Sequence, residues 1–70
     1  MKIYVSLVGE GTSVFYPVEA ISLGNDVYQI VSNNPDPEDL RWEFAKDAKV
    51  RCELRQLHDG EFLVAYELAT

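Results

Sequence analysis

Polar and apolar positions alternate through most of this chain. Ile3, Val5 and Leu7 alternate with Lys2, Tyr4 and Ser6, the period-two pattern of a strand with one buried face. Residues 14–23 repeat it: Val14, Tyr16, Val18 and Ala20 point one way, Phe15, Pro17, Glu19 and Ile21 the other. Pro17 cannot donate a ladder hydrogen bond, so an edge, a bulge or a bend is expected there. Residues 27–32 are rich in β-branched and aromatic side chains and predict a third strand. Val50, Cys52 and Leu54 alternate with Arg51, Glu53 and Arg55, and Phe62, Val64, Tyr66 and Leu68 form the alternating face of the last strand. The expected core is Val5, Val18, Ile30, Val50, Cys52, Leu54 and Val64.

Turn residues punctuate these runs. Residues 9–13 are small and polar, Gly24-Asn25-Asp26 tolerates positive φ, and Asp59-Gly60 is a hairpin signal. Residues 33–39 form an acidic loop with two prolines, Pro35 and Pro37. The segment after it reads two ways. Asp36 could cap a helix with Pro37 at its first position, which would align Leu40, Phe44 and Ala48. Leu40, Trp42 and Phe44 also alternate as a strand. The reading adopted is one short helical turn near residues 36–40, running into a short strand through Trp42. The sum is a mainly β fold: a small antiparallel barrel of five to six strands, which would leave few exposed edges.

The order Val14-x-x-Pro17-Val18-x-Ala20, Tyr28-x-Ile30, Trp42-x-Phe44 and Val50-x-Cys52 resembles a family of small bacterial proteins with SH3-like barrels. The resemblance covers most of the chain. It implies a barrel and no activity, because none is established for such proteins. It also implies a glycine-containing turn before the Val-x-Cys strand, where this chain has Ala45-Lys46-Asp47-Ala48. The Ala-Leu-Tyr-Asp-Tyr signature of eukaryotic signalling SH3 domains is missing, so peptide binding does not follow from fold.

Seventy residues make one domain, residues 1–70. A chain this short buries only about 60% of the surface its unfolded form exposes. With one cysteine, Cys52, it cannot form an internal disulfide, and with one histidine, His58, it is a poor zinc ligand set. The formal net charge of −6 disfavours nucleic acid and anionic membranes, and permits a basic protein partner. No apolar run reaches signal-peptide or membrane-span length, and one unpaired cysteine fits a reducing compartment; a cytoplasmic protein is expected.

Residues that could carry chemistry have plainer readings. Cys52 stands on an apolar face, where a free cysteine acts as a small buried hydrophobe. His58 and Asp59 are neighbours in a turn and cannot readily converge on a substrate. Asp36, Glu38 and Asp39 lack the order of a calcium loop. Gly9-x-Gly11 lacks the lysine and helix start of a phosphate loop. Trp42 remains open between core and interface.

These readings give no catalytic residues, no metal site and no cofactor. The function expected is a non-catalytic protein-interaction or regulatory module, with Asp36, Glu38, Asp39, Trp42 and Tyr16 as its candidate surface. The alternatives are an acidic inhibitor or immunity-type protein acting on a basic target, and a small-ligand carrier or enzyme. A homo-oligomer is compatible with all of them.

Overall fold

A computed structural model describes residues 1–9, 14–57 and 60–69. Five strands, β1 (Lys2–Ser6), β2 (Phe15–Gly24), β3 (Val27–Ile30), β4 (Lys49–Leu57) and β5 (Gly60–Leu68), form a closed ring in sequence order. Neighbours in sequence pair antiparallel, and a short parallel contact, Tyr4 with Val64, closes β1 onto β5. No helix occurs among the described residues.

β2 is long enough to serve two neighbours in turn. Its first half, from Phe15 to Glu19, pairs with β1, and its second half, from Ala20, pairs with β3. Pro17 lies in the half that has β1 on one side and no β3 pairing on the other, where a missing donor costs little. Asn25 and Asp26, with φ of 55° and 63°, then turn the chain back into β3. Two successive positive φ values match the twist of the flanking strands, which explains the polar pair at this site.

Ile3, Val5, Val18, Ala20, Tyr28, Ile30, Val50, Cys52 and Ala65 form the buried cluster inside the ring. Of the seven expected core residues, only Leu54 faces water, being 64% exposed. The alternation itself is intact, since Leu54 shares a face with Cys52. What fails is the cover: β3 pairs with β4 only along Lys49 to Arg51, so beyond Cys52 the β4–β5 hairpin projects past the core.

β5 also differs from its pattern. Ala65 pairs with Cys52 and points inward, whereas Val64 pairs with Tyr4 and Glu53 on the outer face. Val64 is nevertheless buried. Tyr4 and Phe62 occupy that same outer face, with their rings edge to face at 5.0 Å. A second apolar contact thus sits outside the ring, and a register shift beside Cys52 breaks the simple alternation through Tyr66 and Leu68, which are both exposed.

The segment between β3 and β4 corrects the sequence reading. Residues 37–39 form a turn with one main-chain bond from Leu40 N–H to the Asp36 carbonyl (2.7 Å); it does not continue as a helix. The expected strand through Trp42 is a single bridge to Leu7, and β3 ends at Ile30. Two prolines and a run of carboxylates leave too few consecutive donors and apolar residues for more. Before β4, Asp47 adopts a φ of 73°, taking the left-handed position for which a glycine was expected. Residues 10–13 of the turn expected at 9–13, and Asp59 of the expected Asp59-Gly60 turn together with His58, lie outside the described residues.

Fully buried Ile30 and exposed Leu54 make a direct comparison of these environments. Ile30→Ala should cost about 2–5 kcal/mol through lost transfer energy and an unfilled cavity. Leu54→Ala, at low protein concentration, should stay within about 0.5 kcal/mol of the parent. Urea denaturation of both variants checks this; equal losses would mean that the hairpin is packed.

Candidate functional site

The chain from Arg41 to Glu43 is tied to the end of β1. Val8 N–H donates to the Arg41 carbonyl (2.6 Å) and Glu43 N–H to the Ser6 carbonyl (2.9 Å). This places Trp42 against the core cluster and across from Tyr16 of β2, with ring centroids 5.7 Å apart and planes inclined by 36°. Both rings are half-buried. Trp42 therefore packs on the core while part of its ring stays exposed.

The two rings contribute to an open groove of about 260 Å³. Pro17 and Pro35, both exposed, line it with them, and Lys2, Glu19 and Asn33 bring polar groups. The N-terminal ammonium lies 3.2 Å from Glu19, so one wall carries a partly exposed ion pair. The Trp42 indole N–H is buried and has no hydrogen-bond partner among the described residues.

The acidic loop is shaped by hydrogen bonds of its own. Asn34 accepts a hydrogen bond from Asp36 N–H (2.9 Å) and donates from its amide to the Leu40 carbonyl. Asp36 in turn accepts from Asp39 N–H (3.4 Å). Asp36 thus shapes the loop. Glu38 and Asp39 are exposed, and neither lines the groove. Of the five candidate residues, the fold joins Tyr16 and Trp42 and leaves the three carboxylates outside. Pro17, Pro35 and Glu19 were missed, because only the pairing of β2 with β1 and the course of the loop bring them together. No group of three or more metal-ligating side chains is assembled among the described residues. Nor is any helix there long and apolar enough to cross a membrane.

Cys52 lies on the other side of the ring and is 5% exposed. Burial, aided by the negative charge of Asp26, pushes its thiol pKa up to about 11. Thiolate chemistry is thereby suppressed.

That shift makes stability depend on pH. An unfolded thiol loses its proton near pH ~8.5, whereas the folded one keeps it until about 11. Between those values the unfolded chain binds fewer protons, so stability falls as pH rises. The urea midpoint should drop across this window, and less steeply in Cys52→Ala. The native thiol should also resist a thiol reagent until denaturant is added. Rapid labelling of the folded protein, or identical pH profiles for parent and variant, would contradict the assignment.

Comparison of the chain with protein-family models, with curated proteins and with solved structures finds no match, so the reading of this site rests on its geometry.

Proposed function

We propose that this protein is a small non-catalytic interaction module whose contact surface is the groove between Tyr16 and Trp42. One observation carries the reading: two half-buried aromatic rings flanked by two exposed prolines form an open groove. Such rings offer apolar area already fixed by the core, so binding costs little further side-chain entropy. The natural occupant is a segment of another protein lying across the rings. The net charge of −6 and the exposed Glu38 and Asp39, in the same loop as the groove residue Pro35, favour a basic partner. We further propose that the ring is an SH3-like barrel, a reading supported by the shared β2 strand and by the sequence order of the strands.

An acidic inhibitor of a basic target would use the same charges, and differs in requiring a very tight complex with one enzyme.

The test separates binding from folding. Pro35→Ala and Trp42→Phe alter the groove while keeping most core packing, and should lower the melting temperature by less than about 8 °C, which corresponds to about 1 kcal/mol in a domain of this size. Both should lose the partner that the parent captures from the source cell. Glu38→Gln with Asp39→Asn should slow association with that purified partner and weaken its salt dependence. Because Trp42 is the only tryptophan, its fluorescence reports occupation of the groove directly. Undiminished capture by the groove variants, with no change in Trp42 emission on binding, would exclude this surface.

A further inference from the structure

The projecting β4–β5 hairpin leaves a strand edge without a neighbour among the described residues. Cys52 N–H donates to the Asp26 carbonyl (3.1 Å), on the side of β4 away from β5. Strand alternation then aims the N–H and C=O groups of Leu54 and Gln56 to that same side. Among the described residues no strand pairs there, since β3 reaches only to Arg51. Exposed Leu54 and Tyr66 lie with half-buried Leu63 in the recess beside this edge, which measures about 570 Å³. Glu53 and Arg55 occupy the opposite face, bonded to each other at 2.8 Å and each about half exposed.

We infer that this edge pairs with the same edge of a second copy, antiparallel and centred on Leu54, to form a two-fold dimer. The register follows from the sequence. Centring on Leu54 sets each Leu54 opposite its counterpart and each Glu53 opposite an Arg55. Glu53 and Arg55 then form the non-hydrogen-bonded pairs, in which facing side chains approach most closely. Their charges are opposite across both pairs, so a surface that repels by net charge attracts locally. The Leu54 N–H and C=O groups bond to those of the other Leu54, and each Gln56 N–H reaches a Cys52 carbonyl. The Cys52 N–H groups stay with Asp26. Closing the edge covers the two leucines and removes an exposed strand, which is otherwise an aggregation hazard. The groove at Trp42 takes no part, so this inference and the proposed binding surface succeed or fail separately.

Sedimentation equilibrium at rising protein concentration tests the dimer. The parent should pass from monomer to dimer. Glu53→Arg and Arg55→Glu, each alone, should weaken association by about tenfold or more, because both cross-strand pairs become like-charged. Mixing these two variants should restore it, since their charges complement each other again. Leu54→Pro removes an N–H that the β4–β5 ladder does not use, and should abolish the dimer. The charge variants decide the matter even if the proline strains the strand. A parent that stays monomeric at every concentration overturns the inference. So does a dimer whose strength neither charge variant changes, or one that mixing fails to restore.

Discussion

The division of β2 between two neighbours is the constraint on which the rest depends. Ten residues, Phe15–Gly24, give their first half to β1 and their second half to β3. At the changeover, Ala20 N–H reaches the Met1 carbonyl (2.8 Å) and the Glu19 carbonyl receives Val31 N–H (2.9 Å). Backbone groups that would be orphaned at the exchange are thereby satisfied, which a buried polar backbone requires. The same changeover brings Val18 and Ala20 into one interior with Ile3, Val5 and Ile30. A straight two-sided strand would have built an open sheet, and its hydrophobic face would have needed another layer.

β1, β2, β4 and β5 each have strand neighbours on both sides over only part of their length at most, and the two surfaces of interest arise where that pairing stops. Pro17 sits where β2 lacks its β3 neighbour, and the groove at Tyr16 and Trp42 opens there. The hairpin edge begins where β4 outlasts β3. The connection from β3 to β4 partly covers the first gap by tying Arg41 and Glu43 to the end of β1. Of its loop carboxylates, Asp36 serves this geometry by accepting from Asp39 N–H in the turn that precedes Trp42.

Aromatic placement follows the same logic. Tyr28 fills the interior, Tyr4 and Phe62 cover Val64 from outside, and Tyr16 with Trp42 straddles core and surface. In a ring this small, the interior has room for few rings. The remaining large side chains must pack on the outer face or lie half-buried, which is where surfaces suited to recognition form.

Period-two alternation by itself determined most strand positions, the inward faces of β1 and β2, and the burial of Val50 and Cys52, because side-chain direction in a strand is a local property of the backbone. The turn at Asn25-Asp26 was legible for the same reason: positive φ is a cost that each residue bears alone. Tertiary structure decided everything that depends on a neighbour. Leu54 obeys its alternation yet faces water because β3 ends too early to cover it. Val64 is buried from the outside by rings on its own strand and on β1. Trp42 and Tyr16 were nameable one by one, but their meeting depends on a strand bridge between Leu7 and Trp42. Away from the register shift beside Cys52, alternation decides which side chains share a face; the assembled ring decides which face is inside and what each side chain meets.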